Sequence, residues 1–440
     1  MQLYSTNNKS SIVSFREAVI KGIPDDGGLY LPINIPKLPE SFFKEIGSYS
    51  FQNIAYIAAK ELLKDEIPDN DLNNIISESL NFPVLLVRLN CEISILELFH
   101  GPTLAFKDFG ARFMAGMFAY FTKDEDDDIV ILVATSGDTG SAVANGFYNV
   151  EGIKVVLLYP SGKVSHIQEQ QMTTLDKNIT ALEIEGTFDD CQKLVKQAFA
   201  DKDICKVRKF SSANSINIAR LLPQSFYYHY AYAQLKDKSK PVIFSVPSGN
   251  LGNLTGGLLA HEMGLPVHKF IAAVNANDIF PNYIHSGQFS PKPSVQTLSN
   301  AMDVGNPSNF SRIESLYSNN LEKIKNIIFS KSYSDQETEK SIKEVYTDYN
   351  YVIDPHGAVG YAALKDYLKR NPGSYNSIIL ETAHPAKFKD TVEKMIDKET
   401  DTPERLAQCL GKEKRSIKLS ANFDDFKSFL ATFAVNKNKI

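Results

Sequence analysis

The chain has 440 residues, enough for two or three domains and a large buried core. Its 43% hydrophobic and 22% charged residues are those of an ordinary soluble globular protein. A net charge of −5 and a pI near 6.0 argue against nucleic acid or a membrane surface as partner.

Residues 1–90 read as a separate N-terminal unit, and 91–440 as a second unit of two α/β lobes. In the first, Ser14–Ile20 has the pattern of a short helix. Asp25-Asp26-Gly27-Gly28 is a turn signal, and Leu29–Pro32 follows it as an extended piece. Phe51–Leu63 and Asp71–Leu80 carry apolar residues at helical spacing. Nothing here has catalytic spacing, which predicts a packing or oligomer-contact unit, or a wall of the active site. Strands and helices alternate from Ile93 onward. Ile93–Leu96 is a short strand and Phe109–Phe121 a helix. Asp124–Asp128 is an acidic surface turn. Ile129–Ala134 is a continuous apolar run, as in a buried parallel strand. Helix Ser141–Tyr148 and strands Ile153–Leu158 and Thr180–Ile184 follow, and Thr187–Asp190 caps the next helix. Then come helix Asn217–Leu235, strand Pro241–Val246, helix Asn253–Met263 and strand Phe270–Asn275. Helix His356–Leu368 and strand Ser377–Glu381 close the pattern. This alternation predicts an α/β fold with open, mostly parallel sheets and helices on both faces. No apolar run approaches the roughly 20 residues of a membrane span. The start, Met1–Thr6, has no basic and apolar leader. Cys91, Cys191, Cys205 and Cys409 are scattered without a Cys-x-x-Cys pair. That spacing disfavours structural zinc and fits a reducing compartment; a cytoplasmic protein is expected.

Lys107 stands out among the lysines. It sits between Phe106 and Asp108, with Leu104, Phe109, Phe113 and Met114 around it. An ammonium held in apolar surroundings loses hydration, so its pKa falls and it becomes a usable amine, as a Schiff-base lysine requires. In a parallel sheet, ligands bind where strands end and loops enter helices, and four loops there have unusual chemistry. Thr135–Gly140 offers hydroxyls, a glycine and a helix start, suited to a carboxylate or the polar edge of a cofactor. Ser248-Gly249-Asn250-Leu251-Gly252-Asn253 can converge backbone N–H groups on one phosphate. It is neither the dinucleotide glycine pattern nor a Walker loop. Ser212–Arg220 offers Asn214, Ser215 and an arginine able to grip a second phosphate. Glu381–Phe388 leaves a strand for a helix, and Thr382 could offer its hydroxyl to a ring nitrogen. His100 and His384 are ordinary structural hydrogen-bonders on this reading. One amine, one single-phosphate cradle, one carboxylate cradle and one hydroxyl together suggest pyridoxal 5'-phosphate, attached at Lys107.

Phe99-His-Gly-Pro-Thr-Leu-Ala-Phe-Lys-Asp-Phe-Gly110 resembles the lysine motif of the threonine synthase family. Ala134–Gly140, Ser212–Asn217, Val246–Asn250, Leu298–Val304, Thr382–Phe388 and Gly27–Pro32 resemble that family too, in the same order along the chain. The N-terminal unit is similar to that of the long bacterial and fungal type. The resemblance implies fold type II, like the tryptophan synthase β chain, with Lys107 bound to the cofactor as a Schiff base. It implies that Ser248, Gly249, Asn250, Leu251, Gly252 and Asn253 hold the cofactor phosphate and that Thr382 meets the pyridine nitrogen. Thr135, Ser136 and Thr139 are implied for the substrate carboxylate, and Asn214, Ser215 and Arg220 for the substrate phosphate. Asp138 is implied at the cofactor's 3′-oxygen, where the wider fold commonly has Asn. The implied reaction converts O-phospho-L-homoserine and water to L-threonine and phosphate, the last step of threonine biosynthesis, in a monomer or homodimer. The alternatives are a phospho-lyase releasing 2-oxobutyrate, a β-replacing or dehydrating enzyme of the same fold, and a catalytically silent relative.

Overall fold

The structure is a computed structural model that describes residues 1–125 and 128–433. The acidic turn expected at Asp124–Asp128 includes residues 126 and 127, which lie outside the described residues. Two sheets carry the architecture. In the larger, Ile328–Ser332, Lys269–Val274, Val242–Pro247, Asn376–Glu381, Ile93–Glu97 and Leu85–Arg88 lie side by side. All these neighbours are parallel except the last pair. In the smaller, Ile417–Ser420, Ile179–Glu185, Ile153–Pro160, Ile129–Ala134 and Lys209–Ser212 are all parallel. A small antiparallel sheet of Ile12–Ser14, Gln2–Ser5 and Tyr30–Pro32 belongs to the N-terminal segment.

The strands expected at Ile129, Ile153, Thr180, Pro241, Phe270 and Ser377 are present within a residue or two. Ile129–Ala134 is buried at all six positions, as a strand covered on both faces must be. Thr187 and Asp190 form a reciprocal capping box at the helix Phe188–Ala200. Asn217–Leu235 is not one helix. It breaks into Ile218–Leu221, a 3-10 turn Leu222–Ser225, and Phe226–Ala233. Pro223 lacks the N–H of a continuous α-helix and its ring crowds the preceding turn. The edge strands Leu85–Arg88, Lys209–Ser212 and Ile417–Ser420 were not expected. They are four residues each and carry exposed positions, so the apolar signal of a buried strand is missing.

The helix Lys107–Thr122 is packed against helices of the N-terminal segment and helices that follow strands of the smaller sheet. It contacts the helices Phe15–Lys21, Asp69–Ser79, Asp138–Gly146 and Ile218–Leu221. Phe109, Phe113, Met114, Met117 and Phe118 are buried along it. Phe109 meets Phe51, Phe82 and Tyr227 edge-on, with ring centroids 5.8, 4.8 and 5.4 Å apart.

Arg312 joins the same regions by hydrogen bonds. Its side chain is fully buried. It donates to the carbonyls of Tyr30 at 3.0 Å, Ser215 at 3.1 Å and Ile216, and to Asn309 Oδ1 at 2.7 Å. Burial pushes its guanidinium down to about 9. Arg312→Met strands these acceptors inside the protein. We expect a loss of about 3 kcal/mol, read as a thermal midpoint several degrees below wild type.

Candidate active site

Five loops leave the carboxyl ends of strands and meet around a cavity of about 1460 Å³. Three come from adjacent strands of the larger sheet: the Lys107 loop after Ile93–Glu97, the Thr382 loop after Asn376–Glu381, and the Ser248 loop after Val242–Pro247. Two come from adjacent strands of the smaller sheet: the Thr135 loop after Ile129–Ala134 and the Asn214 loop after Lys209–Ser212. This is where the strand ends of parallel sheets present ligand-binding loops.

Lys107 is the first residue of its helix, two residues earlier than the apolar spacing indicated. The chain before it is sewn to the Thr382 loop. Leu98 N donates to Glu381 O at 3.0 Å, Phe106 N to Thr382 O at 2.8 Å, and His384 N to Leu104 O at 3.0 Å. Leu104 adopts the left-handed conformation, φ 57°, at a cost of roughly 1–2 kcal/mol. Burial pushes the Lys107 amine down to about 8; Asp138 pulls it back up, while the charges of Arg220 and Lys387 lower it further. Asp108, beside it, is pushed up to about 6 by burial, opposed by hydrogen bonds from Thr103.

The Ser248 loop opens the helix Gly252–Glu262, whose N-cap Leu251 supplies no side-chain cap and whose Leu254 N–H donates to Asn253 Oδ1 at 3.0 Å, leaving those of Gly252 and Asn253. Its leading N–H groups are therefore available to an anion. Asn250 ties the loop to Ser215, Ser308 and Asn309. A Cβ on Gly249 would lie 2.6 Å from Met302 Cα, backbone against backbone, so only glycine fits. Gly249→Ala should displace the Asn300–Met302 segment and weaken binding of a phosphorylated cofactor on the order of 100-fold, measured by titration of the cofactor-free protein.

Gly110 performs the corresponding service for Arg220. A Cβ there would lie 2.8 Å from Arg220 O, so its absence lets the Lys107 helix and the Arg220 turn close together. Arg220 is buried, lines the cavity and donates to Ala213 O. Its Nε–H has no partner among the described residues. Burial pushes its guanidinium down to about 10. A buried cation without a carboxylate partner is an anion receptor. Asn214 Oδ1, in the same loop, also has no partner among the described residues.

Lys107, Thr135, Ser136, Thr139, Asn214, Ser215, Arg220, Gly249, Asn250, Gly252, Asn253 and Thr382 all border the cavity. Thr135 spends its hydroxyl on its own turn, accepting from Gly137 N at 3.0 Å and Gly140 N at 2.8 Å. Ser248, Leu251 and Asp138 do not border the cavity. The Ser248 hydroxyl donates back to Val246 O at 3.0 Å. Leu251 is buried in the left-handed conformation, φ 59°, and so shapes the loop. Asp138 faces Lys387 and Gln168. His100 pairs with Glu97 at 2.7 Å, and His384 caps the turn Pro385–Phe388. The N-terminal segment supplies Ile20, Ile23, Gly28 and Leu29 to the wall, and the Leu298–Val304 loop adds Asn300–Asp303. His356, Lys387 and Arg312 were not anticipated. Lys387 carries the same signal as Lys107, a lysine against apolar neighbours, here Ala386 and Phe388.

An amine, a glycine-lined turn without an N-cap side chain and a hydroxyl, all bordering one cavity, suit pyridoxal phosphate in donor chemistry. Comparison with known proteins agrees. Residues 2–80 match a family model described as threonine synthase N terminus, 80–380 one for pyridoxal-phosphate-dependent enzymes, and 357–430 one for the threonine synthase C-terminal region. A threonine synthase from Haemophilus influenzae is 46% identical over 92% of this chain and 94% of its own. The crystal structure of threonine synthase from Escherichia coli superposes with a TM-score of 0.92 at 42% identity, covering 99% of this chain and 100% of that one. The chain belongs to the threonine synthase family. A pyridoxal-phosphate-bound threonine synthase from Brucella melitensis, 31% identical, superposes with a TM-score of 0.93 over 99% of this chain and 100% of that one. The expected fold class and cofactor thus hold for this family member. Among the described residues, no helix is long and apolar enough to cross a membrane.

Proposed function

We propose that this enzyme converts O-phospho-L-homoserine and water to L-threonine and phosphate, in the cytoplasm. The observation that carries the reading is Arg220: a buried cation with an unpartnered Nε–H on the wall of the cavity that holds Lys107. A cofactor phosphate at Gly249–Asn253 leaves this second anion receptor for a phosphorylated substrate. The division at about residue 90 fits this reading, with the N-terminal segment as one wall of the cavity.

When bound, pyridoxal phosphate supplies an electron sink that stabilises negative charge on the carbons of an amino acid. The chain's residues do the rest. The turn at Gly252 and Asn253 would hold the cofactor phosphate, and the Thr382 hydroxyl would serve the ring nitrogen. Ser136 and Thr139 receive the substrate carboxylate at the start of the helix Asp138–Gly146, on a turn braced by Thr135. Lys107, its amine near 8, takes and returns protons at neutral pH, acting as base and acid in turn. Arg220, with Asn214 and Ser215, binds the substrate phosphate and steadies the charge that grows as it leaves the γ-carbon. Water then adds at the β-carbon.

The test is product analysis. Purified protein with pyridoxal phosphate is given O-phospho-L-homoserine, and phosphate, threonine and 2-oxobutyrate are quantified together. Threonine released in step with phosphate is the expected result. Phosphate with 2-oxobutyrate would make the enzyme a lyase, and no phosphate at all would overturn the substrate.

A further inference from the structure

Outside the cavity lies an enclosed ion pair. Lys387 Nζ is 2.5 Å from Asp138 Oδ1, and the two side chains are 0% and 4% exposed. Lys387 also donates to Thr103 O at 3.1 Å, and Gln168 Nε2 donates to Asp138 Oδ1 at 2.9 Å. Thr103 in turn holds Asp108, through its N–H at 2.8 Å and its hydroxyl at 2.7 Å. The pair therefore links the loop after Ile129–Ala134, the loop after Asn376–Glu381 and the residues leading into the Lys107 helix. The charges acting on Lys107 come from Asp138, Arg220 and Lys387, each on a different loop, and Asp138 is the anion among them.

We propose that Lys387 is a positioning residue that keeps Asp138 as its own counter-ion and so denies Lys107 a carboxylate partner. A carboxylate enclosed with two amines pairs with whichever is held against it. Lys387 is held by two contacts, to Asp138 and to the Thr103 carbonyl. At Lys107 the charges of Arg220 and Lys387 oppose the pull of Asp138, and desolvation, the largest influence, keeps that amine neutral and basic. Burial alone would raise the Asp138 carboxyl, but the charges of Lys387 and Lys107 hold it well below the usual carboxylate range. Asp138 thus stays an anion throughout the working range, and its pairing needs a fixed cation rather than a shared proton.

The proposal rests on Lys107 being the reactive amine, and its test separates the two claims. Cofactor-free, full-length protein is labelled with trace acetic anhydride across pH 6 to 11, and acetylation of the Lys107 peptide is followed by mass spectrometry. In wild type the midpoint should lie near 8; a midpoint near the ordinary lysine value would defeat the reading of Lys107 itself. In Lys387→Met, Asp138 is released towards Lys107 and the midpoint should rise by about one pH unit, roughly fivefold less labelling at pH 8. Lys387→Arg should restore the wild-type midpoint, and Asp138→Asn/Lys387→Met, which leaves neither charge alone, should return close to it. A folded Lys387→Met protein with the wild-type midpoint overturns the proposal. If that variant does not fold, Asp138→Asn decides. Its midpoint should fall, because Lys387 then acts on Lys107 unopposed; an unchanged or higher midpoint overturns the proposal.

Discussion

Lys107→Ala should release threonine formation to a background at least about 10⁴-fold below wild type. The same side chain is asked to attach the cofactor and to carry the protons, and no neighbour can replace it. Asp108 is held by Thr103, and Lys387 is bound to Asp138 outside the cavity. Borohydride reduction should leave no cofactor joined to the variant. The fold should survive, because Lys107 is the first residue of its helix and contributes no core side chain. Turnover that persisted with a normal circular dichroism spectrum would remove Lys107 from the chemistry. In wild type, the neutral fraction of this amine grows as pH rises through about 8. The acid limb of turnover, which rises with pH, should therefore rise through that region rather than near the ordinary lysine value.

Arg220→Ala should raise the KM for the phosphorylated substrate on the order of 100-fold, about 3 kcal/mol, the scale of one enclosed charge-assisted contact. Cofactor affinity should change little, because the cofactor phosphate is assigned to the turn at Gly249–Asn253. Arg220→Lys should recover only part of the loss, since a lysine cannot reproduce the planar donor fork. Steady-state kinetics together with a cofactor titration separates the outcomes. Loss of cofactor with unchanged KM would show that the two phosphates had been exchanged.

Much of this was legible in the residues, for identifiable reasons. Ile129–Ala134 has the bounds expected of it because a strand covered on both faces needs apolar residues throughout. Thr187 and Asp190 announced a helix start because a capping box is local chemistry. Edge strands such as Lys209–Ser212 were silent: a strand with one exposed face and four residues looks like loop. The helix expected at Asn217–Leu235 overlooked Pro223, whose ring and missing N–H break it. In the site, loops at strand ends pointed to the cavity. The sequence pattern could not reveal which side of a loop each side chain takes. Ser248 and Asp138 look equivalent to Asn250 and Thr139 along the chain, yet they turn away, to Val246 O and to Lys387. Arg312 and Lys387 were hidden for a related reason. Their carbonyl and carboxylate partners lie between 96 and 284 positions away in sequence, and no local pattern encodes such pairs.

The order of strands in the larger sheet has a bearing on how the enzyme is made. Asn376–Glu381 lies between Val242–Pro247 and Ile93–Glu97, so a late piece of the chain must be inserted between two early ones. While a ribosome makes the intervening residues, both early strands wait with an unpaired edge. At about 5–20 residues per second that wait is on the order of ten seconds. Lys107 and Thr382 become neighbours only when the insertion is made, so a nascent chain has the lysine long before it has the pocket that depresses the pKa. On this strand order the surroundings of Lys107 are completed only when the polypeptide is nearly finished.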